Sequence, residues 1–135
     1  MKTPLHRHAC EVAFADTDAS GWLHFSNIFL HVEAAEHEFL KSRGVVVFDR
    51  AQGGWPRVKV SCEYRRPLQA GERIEVVLAI SRIGDSSLTW DFEILNAAGE
   101  MAAFGSMVTV RVDATGKPLA IPAAERAALG YPGNH

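Results

Sequence analysis

From Asn27 to Arg43 the chain runs without a glycine or a proline, and this stretch constrains the fold more than any other. Ile28, Val32, Ala35 and Phe39 recur at the helical period, while His31, Glu38 and Lys41 fall on the far side, so the segment is predicted to be one long amphipathic helix. Ser26 or Asn27 can cap its start, and Gly44 can end it. Four segments of strand character follow at 57–66, 73–83, 87–97 and 101–113, separated only by "PLQAGE", "GDS" and "NAAGE". Links this short force antiparallel neighbours, because a parallel crossover needs a dozen or more residues. Upstream, residues 5–14 end in the alternating "CEVAF" and read as a first strand. The order is therefore strand, long helix, four-strand meander, with a short helix expected around 122–129. An α+β fold follows, in which a curved antiparallel sheet covers the apolar stripe of a single helix.

The 135 residues, 47% of them hydrophobic, suffice for one core, so a single domain over 1–135 is expected. Fourteen basic against sixteen acidic residues give a net charge of -2 without any basic run, which argues against nucleic acid as a partner. Cys10 and Cys62 are isolated and are read as small core residues rather than as a disulfide framework. His6 and His8 share one face of a strand, but no third or fourth ligand stands near them in sequence, so no metal is expected. The N-terminal "MKTPLHRHAC" lacks an apolar h-region and no run is long enough to span a membrane, which leads to a cytoplasmic expectation.

The chemistry concentrates in "FADTDASGWLHFSN", residues 14 to 27. Asp16 and Asp18 can be turn formers that accept local backbone N–H groups. They also stand just upstream of a helix start, where unpaired N–H groups and a partial positive charge can hold an oxyanion. A carboxylate beside such donors suits acyl transfer, with the carboxylate attacking a carbonyl or activating water. Glu33 lies at the edge of the buried stripe and is either a pocket acid or a salt-bridged helix residue, for instance with His37 one turn on. Phe29 and Phe39 are read as core.

The same stretch, extended to "FADTDASGWLHFSNIFLHVEAAEHEFLKSRG", resembles the signature of hotdog-fold acyl-CoA thioesterases of the 4-hydroxybenzoyl-CoA thioesterase family. It is similar also to 1,4-dihydroxy-2-naphthoyl-CoA hydrolases and to thioesterases found with the Tol-Pal system. "VKVSCEYRRPLQAGERIEV" and "VRVDATGKPLAIP" extend the resemblance over residues 8 to 122. It implies a hotdog fold and hydrolysis of an acyl-CoA to a carboxylic acid and free CoA, without a cofactor. By the same resemblance Asp18 is the catalytic carboxylate and the Phe25 backbone N–H the oxyanion donor. Glu33 would reach the acyl group, and Trp22 would border the acyl site. Some relatives carry histidine at the position of Phe25, and here the histidine stands one residue earlier, at His24, a further substrate-site candidate. The family's basic cluster for CoA is represented in "SRIGDSSLTW" by Arg82 alone, with Arg57, Arg65 and Arg66 as other sources of charge. The family pairs by extending one sheet across two chains, which implies a homodimer at least and a homotetramer as the expected assembly. A hydratase or dehydratase on acyl thioesters, or a non-catalytic acyl-binding domain, would share the fold.

Overall fold

A computed structural model describes residues 3–130; residues 1–2 and 131–135 of the expected domain lie outside the described residues. Strand β1 (His6–Glu11) leads through a tight turn at Phe14–Asp16 to a second one at Phe25–Asn27, and from there to helix α1 (Ile28–Ser42). Two-residue strands β2 (Phe48–Asp49) and β3 (Gly53–Gly54) pair as a hairpin in the following segment, where the sequence predicts only loop. Strands β4 (Arg57–Tyr64), β5 (Arg73–Ile83), β6 (Ser87–Leu95) and β7 (Met101–Val110) come next, and helix α2 (Ala123–Ala128) closes the chain. The five long strands form one antiparallel sheet in the order β1-β5-β6-β7-β4.

The α1 stripe packs as its periodicity predicts. Ile28, Val32, Ala35, Phe39 and Leu40 are buried, and the large apolar side chains among them contribute about 2 kcal/mol each. Phe39 meets Trp90 of β6 edge to face at 5.8 Å, and the partly buried Phe29 meets Phe92 of the same strand at 6.3 Å. In β6 the alternation is strict: Leu88, Trp90, Phe92 and Ile94 are buried and the residues between them less so. Gly44, in the left-handed region at φ +69°, ends the helix as expected.

Several expectations need correction. Neither Ser26 nor Asn27 caps α1 with its side chain; the Asn27 amide instead donates to the Asp16 carbonyl at 2.9 Å. The first strand is shorter than 5–14, because Asp16 accepts the Ala13 N–H and bends the chain. Cys10 and Cys62 are only half-buried, packed against the rim of the core. His31 is not on a solvated face: the turn at Phe14–Asp16 folds over it and leaves its side chain 13% exposed.

Edge strand β4 carries a bulge between Arg57 and Lys59. One extra residue reverses the alternation, which puts Arg57 opposite the buried Thr109 and on the helix side of the sheet. Farther along, Val60 and Tyr64 are exposed because α1 does not reach over this edge.

Candidate functional site

The loop between β1 and α1 brings the motif residues together. Asp18 N–H donates to the Trp22 carbonyl at 3.0 Å, Thr17 bridges Leu23, and the Leu23 N–H donates to the Leu68 carbonyl at 2.7 Å. The loop is thus pinned to the connection between β4 and β5. Asp18 does form the turn expected of it: its Oδ1 accepts the Ser20 N–H at 2.8 Å and the Ser20 hydroxyl. Its other oxygen stands 3.5 Å from His24 Nδ1. The Ser20 hydrogen bonds, with the His24 contact adding to them, hold the Asp18 carboxyl below the usual aspartate range. Its side chain is 43% exposed, so a reactant can reach it.

Phe25 opens the turn that leads into α1. Its N–H has no acceptor among the described residues, as expected of the first residue of a helical turn. Its carbonyl accepts the Tyr64 hydroxyl at 2.7 Å, which fixes the plane of the neighbouring peptide relative to β4. Burial is the largest cause that pushes the Tyr64 hydroxyl up to about 12, so it remains a donor. Beside this turn opens a pocket of about 310 Å³, lined among others by Trp22, Phe25, Tyr64, Arg65, Arg66 and Leu68. A carboxylate, an unpaired backbone donor and an apolar pocket with cationic side chains therefore occupy one end of α1.

Glu33 lies elsewhere on the helix and outside that pocket's lining. It pairs not with His37 but with Arg57, at 3.0 Å. Arg57 also holds Glu36, which is 1% exposed. A buried glutamate one turn inside an apolar stripe had no signal in the sequence, because its partner arrives only through the bulge in β4. Burial pushes the Glu36 carboxyl above the usual range while Arg57 pulls it down. The fold thus resists ionisation of Glu36: stability is greatest where it is protonated and declines as pH rises through its raised pKa. Replacing Arg57 by Met removes the opposing pull. The variant is expected to lose about 3 kcal/mol at neutral pH, to regain much of it near pH 5, and to regain it at both when Glu36→Gln is added. Urea unfolding at the two pH values reads all three, and a neutral-pH loss under about 1 kcal/mol would contradict the account.

His6 and His8 both turn to Glu38, at 2.6 and 3.1 Å, which lowers the Glu38 pKa. No helix among the described residues is long and apolar enough to cross a membrane.

Comparison with known proteins agrees with this architecture. The model of the "Thioesterase-like superfamily" matches residues 12–129. A protein of Aquifex aeolicus named as a candidate esterase is 34% identical over 83 residues, which cover 60% of this chain and 65% of that protein, just under two thirds of its length. The acyl-CoA thioester hydrolase YbgC of Escherichia coli O157:H7 is 27% identical over 127 residues, 90% of this chain and 93% of its own. Among solved structures, Slr0204, a 1,4-dihydroxy-2-naphthoyl-CoA thioesterase from Synechocystis, superposes with a TM-score of 0.84 at 22% identity over 93% of this chain and 95% of its own, a likeness of fold. With a family match over nearly the whole described chain and one helix wrapped by a five-stranded antiparallel sheet, the chain belongs to the thioesterase-like superfamily and has its hotdog fold.

Proposed function

We propose that this protein hydrolyses acyl-CoA thioesters, with the Asp18 carboxylate and the Phe25 N–H as its reactive pair and no cofactor beyond the CoA of the substrate. The observation that carries this reading is the placement of an ionised, accessible carboxylate and an unpaired backbone donor on one loop beside an apolar pocket. A thioester carbonyl placed between them would meet the carboxylate at carbon and the N–H at oxygen. As the tetrahedral intermediate forms, the N–H donates to the developing oxyanion, which it can do without reorganising. Collapse expels the CoA thiolate and leaves an acyl–Asp18 anhydride, which water hydrolyses to the released acid and the free carboxylate. A pKa held below the ordinary range keeps Asp18 ionised, the form needed either to attack the carbonyl or to activate water. The acyl group would lie against Trp22 and Tyr64, with Glu33 outside that wall as a contact to the far end of a longer acyl group. His24 would orient Asp18. Arg65 and Arg66 line the same pocket and offer charge to the phosphates of CoA.

The unit of function is proposed to be a homodimer, or a tetramer of two such pairs, in the cytoplasm. Among the described residues, edge strand β4 leaves its outer N–H and C=O groups without a neighbouring strand and exposes Val58, Val60 and Tyr64, a combination that a second copy would cover by continuing the sheet. Light scattering should then read two or four times the 14.8 kDa of one chain, and a monomer would remove this part of the reading.

The test is release of free thiol from a panel of aromatic and aliphatic acyl-CoAs, with the matching acyl-pantetheines alongside. Turnover of CoA esters, faster than that of the pantetheines, is the expected result, with aromatic acyl groups favoured by the Trp22 and Tyr64 wall. A folded protein silent across the panel would move the weight to hydration of enoyl thioesters or to acyl binding alone.

A further inference from the structure

The Asp18 carboxylate and the Phe25 N–H can act on one carbonyl only if their separation is held, and Asp16 is hydrogen-bonded to the segments on both sides. Its carbonyl accepts the His24 N–H at 2.9 Å and the Asn27 side-chain amide at 2.9 Å, both at the start of α1. Its carboxylate accepts the Ala13 N–H at 3.0 Å on the β1 side. Asp16 therefore ties the loop that carries Asp18 to the turn that carries the Phe25 N–H. The orientation of Asp16 itself rests on α1, where His31 Nε2 stands 3.0 Å from Asp16 Oδ2. On its other side His31 Nδ1 lies 3.5 Å from Cys10 Sγ of β1.

With Nε2 donating to the Asp16 carboxylate, the other ring nitrogen of a neutral His31 presents a lone pair to the Cys10 S–H. Burial pushes the Cys10 thiol up, so it stays protonated and can fill that role. Cysteine, histidine and aspartate in this order activate a nucleophile in other enzymes. Here the thiol is a donor at the end of a relay and lies outside the lining of the pocket beside Phe25.

We infer that His31 is a positioning residue for thioester hydrolysis: acting through Asp16, with Cys10 behind it, it sets the distance between the Asp18 carboxylate and the Phe25 N–H. The inference rests on the function proposed above. His31 touches neither reactive group, and its contribution is geometric; a displacement of about 1 Å at a reacting centre costs on the order of a hundredfold in rate.

Two variants test it. His31→Phe keeps a ring in the same space without the N–H, while His31→Gln carries an amide nitrogen the same number of bonds from the backbone and can still donate to Asp16. The Phe variant is expected to keep its melting temperature and its KM within about twofold and to lose at least tenfold in kcat, and the Gln variant to restore kcat to within a few-fold of the native protein. Unchanged kcat in His31→Phe overturns the inference, as does a Gln variant that falls as far as Phe. A Phe variant that fails to fold, or that loses activity through KM, assigns His31 a structural or binding role and overturns it equally. Asp18→Asn measured beside them separates the two levels. Full activity there defeats the proposed function itself, whereas lost activity there with an active His31→Phe defeats only the positioning role.

Discussion

Asp18→Asn is expected to lower kcat by about a thousandfold, a size typical of losing a carboxylate that attacks or takes a proton in the transition state. Asparagine keeps the shape and one carbonyl oxygen, so the Ser20 N–H and hydroxyl, which now meet Oδ1, retain an acceptor and the turn persists. What disappears is the negative charge. The circular dichroism, the oligomeric mass and the melting temperature should therefore match the native protein while thiol release collapses. In the native enzyme the same carboxylate predicts the pH profile. Because its folded pKa is lowered, the active ionised form persists as pH falls through the ordinary aspartate range, and the acid limb of kcat/KM should lie below that range or coincide with unfolding. Label found in the Asp18 side chain after a single turnover in oxygen-18 water would establish direct attack followed by hydrolysis at the aspartyl carbonyl, an outcome that activation of water cannot give. Thiol release within a few-fold of native in Asp18→Asn would take Asp18 out of the mechanism.

Arg111→Met should be the most damaging single change to stability, about 3 to 5 kcal/mol. Arg111 is 2% exposed, and its guanidinium grips both oxygens of Glu125 at 2.8 and 3.0 Å. A third nitrogen donates to the carbonyls of Gln52 and Val112 at 2.8 and 2.7 Å, and the group lies 6.0 Å from the Trp55 ring. One side chain thereby joins α2, the β2-β3 hairpin and the chain just beyond β7. Methionine fills the volume but leaves a shielded carboxylate and the Gln52 carbonyl without donors, and the Val112 carbonyl with the Gly54 N–H alone, the costly way to break such a network. A melting temperature lower by roughly 10 °C or more is expected, with part of the loss recovered by adding Glu125→Gln. Lysine would not substitute, since it lacks the planar fork. A loss under about 1 kcal/mol by urea unfolding would show that water replaces the network at no cost.

Neither Arg111 nor Glu36 could be singled out along the chain, whereas α1 and the four meander strands could. Their periodicities are local: a stripe repeating every 3.6 residues in α1 and an alternation of two in β6 each report burial without reference to any partner. Links such as "GDS" also set antiparallel order by length alone. The same local rules misplaced His31, whose helical position predicts solvent but which the turn at Phe14–Asp16 covers. They gave Glu33 the wrong partner, because Arg57 reaches it only after the bulge in β4 reverses the strand's alternation.

The order of the long elements, the α+β class, the buried stripe of α1 and the placement of two aspartates just ahead of a helix start are thus legible along the chain. Those features depend on neighbours within a few residues, and hydrophobic period, turn chemistry and loop length encode them directly. It took the folded chain to show that Asp18 stays exposed while Asp16 turns inward to His31, that Arg57 serves two glutamates, and that Arg111 is buried. Each of these joins residues far apart in the chain, and the energy of a charge depends on the dielectric and the partners that folding places around it, which no local pattern records.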